Sequence, residues 1–221
     1  CAVRRFTARL RGLSVAMNEA EFSVVGTVPT SRLPALMAIL AERCGTASGE
    51  TSPVWERRYK SRLPADKRGL GELRLLSSAD GTGATLKAES VDRLSVVALI
   101  VARPQPVILA RRVSRVPVAD DGADHFVAAL GFELQHESLR RGWVFQQGAT
   151  TVSVFELCRR KQGGTGGSDW EALGDDSLRL VEVLVHGVGE LAPLANEMDG
   201  WVAALQPLVA LAPAAGARSA F

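Results

Sequence analysis

Apolar and polar positions repeat with two periods along this chain. Glu21 to Val28, EFSVVGTV, reads as a strand. In PTSRLPALMAILAERCG the period changes: Leu33, Leu36, Met37 and Leu40 recur at helical spacing. Thr30 or Ser31 is placed to cap that helix through a side-chain oxygen. Pro34 falls in the first turn, where its missing N–H is tolerated, and Gly45 suits the stop. Residues 45–70 are polar and read as a loop with a basic cluster at Arg57, Arg58, Lys60, Arg62, Lys67 and Arg68. GELRLLSS and ATLKAES read as strands around a DGTG turn at 80–83. LSVVALIV at 94–101 is apolar on both faces and suits a strand deep in a sheet, ended by PQP at 104–106. Val107 to Val116 is a further strand, interrupted by Arg111, Arg112 and Arg115.

Asp120 or Asp121 is expected to cap a short second helix, with Phe126, Val127 and Leu130 inward and Gly131 at its end. Gly131 to Gly148, GFELQHESLRRGWVFQQG, reads as an apolar strand, a tight basic turn, an aromatic strand and a second turn, and TVSVFELC continues the meander. The Gly-rich segment 161–176 reads as a flexible loop, and Ser177 to Val185 as the last strand. Residues 191–211 carry a final helix with Leu194, Met198, Trp201, Val202 and Leu205 on one stripe, ended or kinked at Pro207. That stripe is expected to seal the outer face of the sheet.

About eight strands and three helices result. The strands come in runs rather than alternating with helices, so the expected class is α+β, mainly β: an antiparallel β-barrel of about eight strands with flanking helices. Residues 18–211 form one domain, between a flexible leader at 1–17 and a disordered tail at 212–221. A content of 47% hydrophobic residues in 221 supports one sizeable core, and a net charge of +2 is too small to argue for nucleic acid. No apolar run is long enough to span a bilayer, which takes about 20 residues, and the start AVRRFTARLRGL shows no secretory signal. Cys1, Cys44 and Cys158 are far apart and odd in number, which fits a reducing compartment and neither a disulfide framework nor a zinc spacing.

The candidate chemistry is sparse. Glu19 and Glu21 form an ExE pair on one face of the first strand, Glu156 and Glu182 interrupt apolar strands, and Arg111 and Arg115 share a strand face. Such carboxylates inside a barrel would hold a divalent cation, and the arginines would hold phosphate. The pattern resembles the triphosphate tunnel enzymes, whose first strand carries ExExK. Here Ser23 stands where the cation is needed, and burial favours paired acids over free ones. His136 alternates with Phe132 and Leu134 and reads as a hydrogen-bonded core residue, Cys158 as an inert sheet thiol, and GGTGG at 163–167 as a linker without the lysine of a phosphate loop. Trp55 and Tyr59 inside the basic cluster raise an RNA-binding module over residues 55–68, although Glu56 and Asp66 dilute the charge.

A second resemblance covers more of the chain. Gly131, Phe132, His136, Glu137, Gly142, Phe145 and Gly148, then Val154, Phe155 and Leu157, Glu182 in LVEVLV, and Leu205 and Pro207 in LQPLVAL, resemble subunit 18 of the Mediator complex of RNA polymerase II transcription. The match is good over 120–211 and topological over 19–119. It implies a nuclear, non-catalytic architectural subunit of the head module without cofactor or catalytic residues. The implied partners are Mediator subunit 20 as a heterodimer and the C-terminal helix of Mediator subunit 8, with RNA polymerase II contacted indirectly and neither membrane nor nucleic acid bound. Val97, Leu99, Trp143, Phe145 and Trp201 are the expected partner-facing residues. Gly142 and Gly148 are expected to mark the turns that set strand register.

Overall fold

The computed structural model describes residues 19–45, 51–62, 70–78, 84–93, 109–119, 122–161 and 170–212. The elements are β1 (Glu19–Pro29), a 3-10 turn (Thr30–Arg32), α1 (Leu33–Cys44), β2 (Thr51–Ser61), β3 (Leu70–Ser78), β4 (Ala84–Arg93) and β5 (Leu109–Val118). There follow α2 (Ala123–Ala129), β6 (Phe132–Gln147), β7 (Thr150–Arg160), β8 (Trp170–Ala172), β9 (Leu178–Gly187), α3 (Leu191–Leu205) and β10 (Ala210–Ala212). The pairing β1-β5-β4-β3-β2-β6-β7-β9 returns to β1, so eight antiparallel strands make a ring. The expected class holds. β8 adds to the edge of β7, and β10 pairs with β1.

Strand alternation sorts each strand into two faces. Phe22, Val24 and Val28 of β1, Phe145 of β6, Val152 and Val154 of β7, and Val181, Val183 and Val185 of β9 face outward. They meet Leu36 and Leu40 of α1 and Met198, Trp201, Val202 and Leu205 of α3 in one buried cluster. A second outer cluster joins Tyr59, Leu73, Leu75 and Phe132 to Ala123 and Val127 of α2. The apolar core therefore lies outside the ring, under helices, and each of its large side chains contributes about 1.5–3 kcal/mol by leaving water. The expectation that α3 seals the outer face holds.

Several expectations change. Residues 51–61, read as loop, are β2, a full member of the ring. No turn interrupts 132–147: β6 is one strand of 16 residues. Gly142 lies inside it, where β7 comes close. A Cβ there would stand 2.0 Å from the Val154 carbonyl oxygen and 2.7 Å from the Phe155 Cα. Gly148 does mark a turn, the two-residue link from β6 to β7, with φ +56°. Arg58 pairs with His136 but Tyr59 pairs with Leu134, so a bulge falls at Gln135. It breaks the alternation, and Leu134 and His136 are exposed while Phe132 is buried.

Neither α1 nor α2 has a side-chain hydrogen bond from its N-cap residue, and Asp120 and Asp121 lie outside the described residues. The 3-10 turn leads into α1, and the Thr30 hydroxyl donates instead to the Ser177 carbonyl. Gly122 precedes α2, with Asp124 in its first turn, and Phe126 is exposed rather than inward. Trp170–Ala172, expected in the flexible loop, is a strand, and α3 ends at Leu205 before Pro207, leaving 210–212 as β10. The strand expected at 94–101, the turn at 80–83, the leader and the tail after 212 lie outside the described residues.

Candidate functional site

The ring's inner face carries the charge. Glu19 and Glu21 point inward from β1, as the ExE spacing requires. Lys87 of β4 and Arg115 of β5 are directly paired in register and meet them. Arg115 donates to Glu19, and also to Glu21 at 2.5 Å. The Lys87 ammonium donates to Glu21 at 2.8 Å, and the Glu21 side chain is fully buried.

The opposite wall carries three described guanidinium groups, those of Arg58, Arg74 and Arg140. Arg140 of β6 donates to Glu182 of β9 at 2.6 Å and sits 2.5 Å from Glu56 of β2. Arg58 donates to Glu56 at 2.6 Å, and Arg74 of β3 lies 3.6 Å from it. The Phe155 ring lies 4.7 Å below the Arg140 guanidinium and fixes its plane. Burial works to raise the Glu56 carboxyl. The guanidiniums of Arg140, Arg58 and Arg74 outweigh it and hold Glu56 far below the usual carboxylate range. Burial likewise raises Glu182, but Arg140 brings it down overall. A cavity of about 210 Å³ adjoins this group, reached by Arg74, Lys87, Arg140, Thr151 and Ser153, with Leu76, Phe155 and Leu184 between them.

The structure brings together Glu19, Glu21, Glu182 and Arg115 of the sequence candidates. It does not bring Glu156. In register Ser153 faces Glu182, so the inward residues of β7 are odd-numbered. Glu156 lies on the other face, where Cys158 donates to it and Arg179 stands 3.9 Å away. Arg111 pairs with Glu21 in register, and its side chain is outside the described set. Sequence reading left out Arg74, Lys87 and Arg140, and took Glu56 and Arg58 only as part of the basic cluster at 55–68. The available signal was a charge at an alternate position inside each otherwise sheet-like segment. A divalent metal does not fit the donor set: every one of these four carboxylates is engaged by a cation. Among the described residues no group of three His, Cys, Asp or Glu side chains is placed to hold an ion.

The basic cluster is dispersed. Arg57 is buried, donates to Asp124 and to Ser77 at 2.8 Å, and stacks 4.3 Å from the Trp55 ring. Arg58 points into the lumen, and the buried Tyr59 donates its hydroxyl to Asp124. Trp55 is flanked on the outside by Arg160 at 5.5 Å and by Trp170, edge-on at 6.4 Å. Of the described cluster residues, Lys60 is exposed on β2 and Arg62 lies 3.7 Å from Glu133. The stacking face an RNA module needs is thus taken up by internal contacts.

Among the expected partner-facing residues, Phe145 and Trp201 are 2% and 3% exposed, buried in the chain's own core, which corrects that reading. Trp143 is half-buried against the same core and borders the cavity. Val97 and Leu99 lie outside the described residues. Glu137 pairs with Arg160 at 2.9 Å, Leu205 is fully buried, and Pro207 is exposed just past α3. His136, expected in the core, is on the surface. Cys158 is buried, and burial pushes its thiol up, as expected of an inert sheet cysteine.

No protein-family model and no curated protein sequence matches the chain. Solved structures do. A chain of the Schizosaccharomyces pombe Mediator head module superposes with a TM-score of 0.62 at 16% identity, over 87% of this chain and 97% of that one. A Vibrio parahaemolyticus protein provisionally identified as an adenylate cyclase gives 0.55 at 14%, over 86% and 90%. A Pyrococcus horikoshii protein gives 0.52 at 12%, over 85% and 89%. At these identities the likeness is one of fold.

Proposed function

We propose that this chain is a non-catalytic architectural subunit of a Mediator head module, acting in the nucleus in RNA polymerase II transcription. In this reading it pairs with Mediator subunit 20 and docks a C-terminal helix of subunit 8, a helix-in-groove contact. The observation that carries the reading is the fold match over 97% of a chain from the Mediator head module. The Gly131–Gly148 and Leu205–Pro207 landmarks support it independently of the fold. So does the lumen, whose acids are neutralised by guanidinium and ammonium groups rather than gathered around a metal position. The test is co-expression with subunits 20 and 8. The expected result is a stoichiometric complex on gel filtration and a melting temperature that rises with partner concentration. A monomer indifferent to both partners would refute it.

A second reading, metal-dependent triphosphate hydrolysis, has one observation in its favour: the ring encloses charges of both signs, in a fold shared with the Vibrio protein. Phosphate release from tripolyphosphate with Mg²⁺ or Mn²⁺, lost in Glu21→Ala, would establish it. No release above a blank is expected.

A further inference from the structure

Two strands in line cover one edge of β7. β9 pairs with it from Thr150 to Phe155, and β8 only from Cys158 to Arg160. Past Phe155 this edge therefore depends on β8 and on one further bond, from the Leu173 N–H to the Leu157 carbonyl at 2.7 Å. Little else holds β8. Its residues belong to neither apolar cluster, and Ala172 and Leu173 are exposed. Arg159 donates to Glu171 at 2.7 Å, but the pair lies at the surface, where such pairs hold weakly. Trp170 is the main anchor. The Arg160 guanidinium lies 5.3 Å from its ring and 5.5 Å from that of Trp55, which Trp170 meets edge-on. The Trp55 indole N–H is buried and finds no acceptor among the described residues, and an unpaired buried donor works against the closed arrangement.

We propose that β8 is a displaceable edge strand, and that the β7 edge it covers, 157–160, accepts an extended segment of a partner protein in its place. β8 itself displays the chemistry that fits: an aromatic residue beside Arg160, an acid beside Arg159 and a small residue opposite Cys158, running antiparallel to β7. When β8 leaves, the Glu171 carboxylate leaves Arg159 with it, and that exposed guanidinium selects an acid at the same place. Main-chain ladder bonds supply the affinity and the three side-chain positions the specificity. Release of Trp170 also gives the Trp55 N–H access to water. This acceptor role rests on the sheet alone and not on assembly into a Mediator head.

Cys158, 1% exposed and opposite Ala172, reports on this edge. The whole chain carrying Cys1→Ser and Cys44→Ser is labelled with dithionitrobenzoate, so that Cys158 alone reacts. The labelling rate is expected to be insensitive to dilute urea, as local opening is and global unfolding is not. Trp170→Ala should label roughly tenfold faster or more, out of proportion to any change in its urea midpoint. Should that variant fail to fold, Glu171→Lys, which turns the Arg159 pair into a repulsion, takes its place. A peptide of residues 170–175, Trp-Glu-Ala-Leu-Gly-Asp, should slow labelling of the variant saturably, and the same peptide with lysine for glutamate should not. Labelling that follows global unfolding, no protection by the peptide, or equal protection by both peptides overturns the proposal. A peptide that adds to the far side of β8 instead falls under the second of these, because it leaves Cys158 labelling unchanged.

Discussion

Replacing Gly142 by alanine tests whether the meander is a continuous strand closely backed by β7 or two strands joined at a turn. The built Cβ would lie 2.0 Å from the Val154 carbonyl oxygen and 2.7 Å from the Phe155 Cα, where contacts of 3.4 Å or more are ordinary. Both obstacles are backbone, so no rotamer change relieves them. The φ of Gly142, +157°, is one that residues with a side chain rarely adopt, so backbone strain adds to the clash. The strands must part by roughly an ångström, at about 1–3 kcal/mol for overpacking. The Gly142–Phe155 and Trp143–Val154 pairs loosen with them, at about 1 kcal/mol for each ladder bond lost. The expected loss is therefore about 3–5 kcal/mol, a large share of the ~5–15 kcal/mol that holds a domain folded. Gly148→Ala is the internal control. It has open space around the new Cβ and only a left-handed backbone to accommodate, about 1–2 kcal/mol. Urea unfolding followed by circular dichroism measures both. If Gly142→Ala costs less than Gly148→Ala, the strands are not packed as described and the reasoning fails.

Trp201→Ala removes a ring buried between α3 and the sheet and should cost about 3–5 kcal/mol in the same assay; a small loss would place the ring at an interface instead. Glu56 and Glu182 have folded-state pKa values below their unfolded ones, so their contribution is present at neutral pH and lost as pH falls below about 4. Acid unfolding should accordingly be shallower in Glu56→Gln, and an unchanged acid limb would contradict the ion pairing. Burial and then the Asp124 hydrogen bond push the Tyr59 hydroxyl up, so Asp124→Asn should lower its spectrophotometric titration midpoint and cost about 1–3 kcal/mol, by weakening the tie from α2 to Arg57 and Tyr59. An unmoved midpoint would mean that Asp124 does not reach the hydroxyl.

What could be read in the sequence was whatever faced the helices. Val181, Val183 and Val185 alternate because one side of β9 is apolar and covered, and the α3 stripe repeats because its other side meets water. The inner face follows a different rule. Glu56 and Arg58 make β2 look like a solvated loop, because a strand whose inward residues are charged has the composition of a surface. Their cost of burial is offset by partners on β3 and β6, which no local window contains. Glu156 and Glu182 looked equivalent, and only the register of β7 against β9 separates them. His136 was misplaced by a single extra residue at the bulge. In each case the missing information was which residue stands opposite, a long-range property of the sheet.

The pairing of β1 has a consequence for how the chain is made. Its partners β9 and β10 come from the last part of the sequence, with Phe22 opposite Val185 and Gly26 opposite Leu211. A Cβ on Gly26 would come 2.8 Å from the Ala210 carbonyl oxygen, so the final strand settles only because that position is bare. During synthesis β5 can reach β1 midway, but the β9 and β10 pairings wait about 150 residues after β1 has left the ribosome. At about 5–20 residues per second, that wait is roughly 8–30 s. Throughout it, Phe22, Val24 and Val28 have no α3 to cover them and the edge that β9 completes has no ladder to join. Nascent chains of this protein therefore depend on chaperones, or on an assembly partner arriving before release, in a way the finished ring no longer does.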